Sequence, residues 1–260
     1  MSNIIAMVNQ KGGVGKTTTV VNLAAGLAEL DKKVLVVDID PQGNASSGLG
    51  IPQNEQEVNI YDVLVDGEDI TNAIHHAKND DVDVVPSNID LAGAEVELLK
   101  KPEREFLLKK QLDNIKGDYD FILIDCPPAV NVLTINALTA AGSVIIPMQC
   151  EYYALEGLAQ LTQTIWLVQK NTNPNLIIEG IVFTMYNARA NLTTGVVNEV
   201  KQHYEKVVYK TTIPRNVKLS EAPSHDRSCL KYEPKCPGSI QYREFAKEFL
   251  TQHELTEASR

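Results

Sequence analysis

The stretch IIAMVNQKGGVGKTTT, residues 4–19, decides the fold. A short apolar run, IIAMV (4–8), passes into a glycine-rich loop and then into a segment with helical periodicity, the strand, loop, helix order that a phosphate cradle requires. Gly12, Gly13 and Gly15 let backbone N–H groups come close to an anion at the positive end of a helix beginning near Thr17. Lys16 can then set its ammonium on the β- and γ-phosphates of a nucleotide, and the Thr17 hydroxyl can ligate Mg²⁺. The candidate ATP-binding set in this loop is Lys11, Gly12, Gly13, Val14, Gly15, Lys16, Thr17 and Thr18. It reads KGGVGKTT, so the first position of the generic GxxxxGK[ST] pattern is a lysine, Lys11, which makes the motif narrower than the generic one.

Working outward, further apolar runs recur: VLVVDID (34–40), VDVVP (82–86), FILID (121–125), SVIIP (143–147) and LIIEGIVFT (176–184). They are apolar throughout instead of alternating, as expected for strands covered on both faces. Amphipathic stretches lie between them. Val20, Leu23, Leu27 and Leu30 share one helical face, and so do Leu158, Leu161, Ile165 and Val168. This alternation predicts an α/β fold of the P-loop NTPase type: a doubly wound, mainly parallel sheet with helices on both faces, and ligands where strands end and helices begin. Residues 1–260 read as one domain, without internal repeat or linker. Trp166, beside the second apolar face, is expected to pack in the core or at its edge.

Two strand ends carry carboxylates. Asp38 and Asp40 lie in VVDIDPQGN and Asp125 in FILIDCPP; four apolar residues followed by an aspartate is the Walker B pattern, whose carboxylate holds magnesium through water. Phosphoryl transfer to water needs charge neutralised on the γ-phosphate, which Lys11 and Lys16 can supply, and a positioned nucleophile, which Asp40 can orient. Lys11, Lys16 and Asp40 are the candidate catalytic residues, Thr17 and Asp125 the candidate metal residues.

Composition narrows the class. Hydrophobic residues at 43% and charged residues at 22% suit a globular protein, and a net charge of −10 argues against a surface coated for nucleic acid. The N-terminal apolar run is too short for a secretory signal and no stretch approaches a membrane span, so a cytoplasmic location is expected. Cys126, Cys150, Cys229 and Cys236 are scattered without a CxxC pair, and are expected to be reduced and structural.

KGGVGKTT with Lys11, DIDPQGN, IDCPP, PMQCEYYALEGL and TIPRNVKLSEAPS together resemble the ParA/Soj chromosome-partitioning ATPases, the deviant Walker A family, over nearly the whole chain. The resemblance implies slow ATP hydrolysis used as a switch, with a homodimer enclosing two ATP molecules. Lys11 of each subunit would reach the other's nucleotide, and Pro214 and Asn216 would hold adenine. It also implies a ParB-like partner, nucleoid association when ATP is bound, and non-specific DNA binding through Arg189 and Lys218. The chain begins a few residues before its first strand, so the N-terminal helix-turn-helix of plasmid-type relatives, and with it operator recognition, is not expected.

Between Asn187 and Leu219 the positive residues Arg189, Lys201, Lys206, Lys210, Arg215 and Lys218 face only Glu199 and Glu205, in an acidic protein. On charge alone this reads equally as a solvated surface or a DNA patch; the resemblance favours DNA. Relatives often carry a further basic residue just before the glycine of the PKCPG-like segment, where this chain has Pro237, so that contact is missing or supplied by Lys235. A MinD-like division or cargo-positioning ATPase is the alternative. A membrane-binding tail would need a basic polar face, whereas YREFAKEFLTQHELTEASR sets Arg243, Lys247 and Arg260 against four glutamates, so its apolar face of Tyr242, Phe245 and Phe249 is expected to pack on its own domain. An iron–sulfur carrier would need thiolates arranged otherwise than Cys126 and Cys150, and no acceptor motif suggests a kinase.

Overall fold

The apolar run at the N-terminus becomes β1 (Asn3–Met7), which lies inside an eight-stranded sheet with β5 (Phe121–Asp125) on one side and β6 (Ser143–Gln149) on the other. The structure, a computed structural model, describes residues 3–52, 56–151 and 153–258. Tyr152 of the PMQCEYYALEGL segment and Arg260 of the tail lie outside the described residues.

Beyond β5 follow β2 (Val34–Asp38), β4 (Val82–Val85) and β3 (His75–Ala77); beyond β6 follow β7 (Ile177–Tyr186) and β8 (Val208–Pro214). Every pairing is parallel except β3 with β4. The helices are α1 (Lys16–Ala28), α2 (Asn44–Gly48), α3 (Leu91–Leu98), α4 (Leu107–Ile115), α5 (Val132–Ala140), α6 (Ala154–Asn171), α7 (Asn191–Tyr204), α8 (Val217–Glu221), α9 (Cys229–Tyr232) and α10 (Pro237–Ala258).

The all-apolar strands are explained by two cores, one on each face. Ile4, Ala6 and Val8 enter a cluster with α3 to α7, whereas Ile5 and Met7 enter one with α1, α9 and α10. Val20, Leu23 and Leu27 of α1 are buried as the periodicity requires, with Leu30 half-buried at the margin. On α6, Leu158, Leu161, Ile165 and Val168 are all buried.

Tyr242, Phe245 and Phe249 of α10 are also buried, and the Phe249 ring meets Phe121 edge to face at 5.3 Å. Full burial of such a side chain contributes about 1.5–3 kcal/mol, so this apolar face is committed to its own sheet. Among the described residues, no helix is long and apolar enough to cross a membrane.

Three sequence expectations are revised. β2 ends at Asp38, so Asp40 stands two residues beyond the strand instead of one. The short β3 and the half-exposed β8 were not anticipated, because three residues in one case and an interrupted apolar pattern in the other leave little periodicity to read. Trp166 is 54% exposed, with the Lys170 ammonium 5.2 Å from its ring centre; one residue beyond Ile165, it falls off the buried stripe of α6.

Candidate active site

Parallel register brings the motifs together. Met7 pairs with Asp125, and Asp125 with Asp38, so β1, β5 and β2 end level and release their loops on the same edge. This is where the strand order turns outward in both directions from β1, the position at which open α/β sheets take ligands.

The loop from β1 to α1 is held by its carbonyl groups. Gln149 Nε2 donates to the Gly13 carbonyl at 2.7 Å, and Thr184 Oγ1 donates to the Val14 carbonyl at 2.7 Å. With those carbonyls turned toward β6 and β7, the following peptide N–H groups point the opposite way. Gly13 and Gly15 have φ of 72° and 87°, the left-handed region that glycine enters without a Cβ penalty. Gly15 caps α1 with no side-chain hydrogen bond, so the first amides of α1 remain available to an anion.

Lys16 is 7% exposed, and its ammonium lies 3.4 Å from the Lys11 carbonyl. Burial lowers its pKa, while Asp125 and Asp40 act in the opposite direction. Lys11 is exposed and forms an ion pair with Glu151, which follows β6.

The three aspartates occupy different states. Asp38 is fully buried and satisfied: it accepts from the Asp40 amide at 3.1 Å, the Ser46 amide at 2.9 Å and the Ser46 hydroxyl at 2.7 Å. Burial nonetheless pushes its pKa up to about 6. Asp38 therefore braces the turn into α2. Asp40 is 8% exposed, and one carboxylate oxygen accepts from the Gln42 amide at 3.0 Å.

Asp125 is buried, and neither of its oxygens has a hydrogen-bond partner of ordinary geometry among the described residues. Burial and then the Asp38 charge push its pKa well up, while the nearby Thr17 hydroxyl and Lys16 oppose this. A buried carboxylate whose near neighbours are a threonine hydroxyl and a lysine ammonium is a donor set that a hydrated divalent cation completes.

Two cavities flank the loop. One, of about 300 Å³, is bounded by Gly15, Thr18, Thr184, Pro214, Arg215 and Asn216; the other, of about 270 Å³, by Thr17, Thr18, Asn22, Asn44, Arg227 and Ser228. Asn216 caps α8 by accepting from the Lys218 amide at 2.8 Å, which sets Pro214 and Asn216 at the rim of the first. A larger cleft, about 640 Å³, opens near Asn3, Lys33 and Phe121, where the strands begin; it contains none of the loop residues.

The candidate DNA residues stand apart from the loop. Arg189 is exposed between β7 and α7; Lys218 is on α8, its ammonium 2.7 Å from Glu221 and 5.6 Å from the Tyr232 ring centre. Lys201, Lys206, Lys210, Arg215 and Lys235 are exposed as well.

Sequence reasoning missed Gln149, Glu151, Thr184 and Met185. All four lie at the ends of β6 and β7, and their nearness to the loop depends on strand order. Met185, with φ of 48°, accepts from Gln149 Nε2 at 2.9 Å through its sulfur.

The family model described as "AAA domain" matches residues 2–178. The chain is 56% identical over 248 residues to the sporulation initiation inhibitor protein Soj of Bacillus subtilis (strain 168), covering 95% of this chain and 98% of that one. It is 49% identical to the chromosome partitioning protein ParA of Myxococcus xanthus (strain DK1622), covering 96% and 88%. Among solved structures, cobyrinic acid a,c-diamide synthase from Mycobacterium smegmatis, with bound ADP and magnesium or with a bound ATP analog and magnesium, superposes with a TM-score of 0.85 at 39% identity over 98% of this chain and 96% of that one.

Proposed function

The chain belongs to the ParA/Soj-type partitioning ATPases, and on that premise we propose that it is an ATP-dependent dimerisation switch in which nucleotide state controls DNA binding. The observation that carries this reading is the convergence of an uncapped helix N-terminus, the buried Lys16 ammonium and the buried Asp125 carboxylate beside the Thr17 hydroxyl at one sheet edge. Residues 1–260 act as one ATPase domain.

In this reading, residues Gly12 to Thr18 present their amides to the phosphates of ATP, with Lys11 and Lys16 adding charge. Thr17 and Asp125 would hold magnesium, Asp125 through water, and the bound ion would supply further charge neutralisation on the phosphate oxygens. Asp40 accepts a hydrogen bond from the attacking water, its carboxylate steadied by the Gln42 amide. Pro214 and Asn216 take the adenine at the rim of the cavity beside Thr18.

Lys11 acts on the nucleotide of a second copy, for which it must leave Glu151. An exposed ion pair of this kind adds little to stability and so is readily exchanged for a phosphate contact. The ATP-bound dimer binds DNA without sequence preference through Arg189 and Lys218, associates with the nucleoid, and releases on hydrolysis stimulated by a ParB-like partner. The 56% identity to Soj over almost the full length favours this reading over a MinD-like positioning role.

Light scattering of the Asp40→Ala protein tests the switch. A doubled mass with MgATP, lost in the Asp40→Ala, Lys11→Ala double variant, is the expected outcome. Equal masses with and without ATP would rule out the dimer.

A further inference from the structure

Cys229 and Cys236 do not form a CxxC pair in the sequence, yet the turn of α9 and the loop after it bring their sulfurs to 3.4 Å. Both thiols are free and buried, Cys229 fully and Cys236 with 8% of its area exposed.

Cys236 is placed as the N-cap of α10. The sequence Cys236-Pro237-Gly238-Ser239 puts proline at the first helical position, where its missing N–H costs nothing, and the Cys236 carbonyl accepts from the Ile240 amide at 3.1 Å. Its sulfur accepts from the Ser239 amide at 3.4 Å and lies 3.4 Å from the Ser239 hydroxyl. An N-cap acceptor faces the positive end of the helix, so a sulfur here is stabilised as the thiolate.

The two thiols are tuned apart. Burial alone would raise Cys236, but the bonds from Ser239, from the Cys229 thiol and from the Gly238 amide bring it below the usual thiol value. Burial pushes Cys229 up to about 12. One sulfur, nearly buried, is biased toward the thiolate and its neighbour toward the thiol. The other two cysteines lack this arrangement: burial raises Cys126 well above the usual value and Cys150 to about 11.

We propose that Cys229 and Cys236 form a redox-active dithiol, with Cys236 the thiol oxidised by hydrogen peroxide and Cys229 the resolving thiol that closes a disulfide. The Cys236 thiolate attacks one peroxide oxygen; an S–O bond forms, the O–O bond breaks, and the departing hydroxide takes a proton to become water. The Cys229 sulfur then attacks the Cys236 sulfur; an S–S bond forms, the S–O bond breaks, and the leaving hydroxide carries off the Cys229 proton as a second water. Two thiols have lost two electrons and the peroxide has gained them. The sulfurs need close only from 3.4 Å to about 2.05 Å.

The bond would form beside the nucleotide site. The Cys229 amide donates to Asn22 Oδ1 at 2.9 Å, and Asn22 donates in turn to the Thr18 carbonyl at 2.8 Å in the first turns of α1.

Peptide mapping of the native protein after brief exposure to hydrogen peroxide tests the proposal. The expected product is a Cys229–Cys236 linked peptide, reversed by dithiothreitol, while Cys126 and Cys150 remain free. Without peroxide, iodoacetamide at neutral pH should label Cys236 about tenfold faster than Cys150. In Cys229→Ser the oxidised Cys236 should persist as a sulfenic acid trapped by dimedone; in Cys236→Ser no sulfenic acid should appear at position 229. Oxidation of Cys126 or Cys150 before the pair, or absence of the linked peptide from wild-type protein, would overturn the proposal without recourse to the variants.

Discussion

At the carboxyl end of β1 the charged groups are inside the protein: Lys16 and Asp40 are less than a tenth exposed and Asp125 is completely enclosed. Between Asn187 and Leu219, from the end of β7 through α7 and β8 into α8, the charges are outside, and Lys218 is already paired with Glu221. Buried charges interact strongly with one another and with anything that enters, since little water competes. Exposed charges are screened and act by number. The loop should therefore fail abruptly when one residue is lost, and the basic surface should weaken by degrees.

The largest effect is expected from Lys16→Ala. Removing a buried cation that faces the phosphates should weaken MgATP binding by on the order of 100-fold or more, as measured by calorimetry. Binding within threefold of wild type would show that backbone amides alone hold the nucleotide, and would erase the contrast between the two regions. Asp40→Ala comes next. It should lower kcat by about 100-fold while leaving MgATP affinity unchanged, because a residue that orients water acts in the transition state and hardly in the ground state. Normal turnover in a phosphate-release assay would remove Asp40 from the mechanism.

How far each region could be read from sequence follows from the same contrast. The loop, Asp40 and Asp125 were legible because a phosphate cradle is contiguous in sequence and its flanking strands are apolar on both faces. Gln149, Thr184 and Glu151 were not, since they reach the loop through strand neighbours β6 and β7, and strand order leaves no local trace. The Cys229–Cys236 contact was hidden for a related reason: a seven-residue spacing carries no signal until α9 folds the chain back. The positive charge of 187–219 was plain in the sequence, but that Glu221, just beyond that window, would pair with Lys218 was not.

A smaller effect is expected from reversing charges in the basic surface. With two phosphate contacts per subunit, an ATP-bound dimer would show a log–log salt slope of about −3.6, at roughly −0.9 per phosphate neutralised. Lys218→Glu or Arg189→Glu should halve that slope to about −1.8 and remove binding at moderate salt, with nucleotide affinity intact. Fluorescence anisotropy in the Asp40→Ala background measures both quantities. A slope unchanged in both variants would move the DNA surface elsewhere.

The smallest effect, and the one that most sharpens the comparison, is expected from Glu221→Gln. In the free protein the Lys218 ammonium is 2.7 Å from Glu221, which also accepts from the Tyr232 hydroxyl at 3.1 Å, and the side-chain bond to Glu221 raises the Lys218 pKa. If Lys218 contacts DNA, it must exchange this carboxylate for a phosphate, and Glu221 then stands beside the DNA as a like charge. Replacing it with glutamine keeps a hydrogen-bonding side chain of nearly the same shape but removes both the competitor and the repulsion. Because the pair is exposed and screened, the gain should be modest, a severalfold tighter DNA affinity at low salt that fades as salt rises. The number of phosphates contacted does not change, so the salt slope should stay close to that of the parent. An affinity that does not respond to Glu221→Gln, together with loss of binding in Arg189→Glu, would assign the contact to Arg189 alone and leave Lys218 as a structural partner of α8.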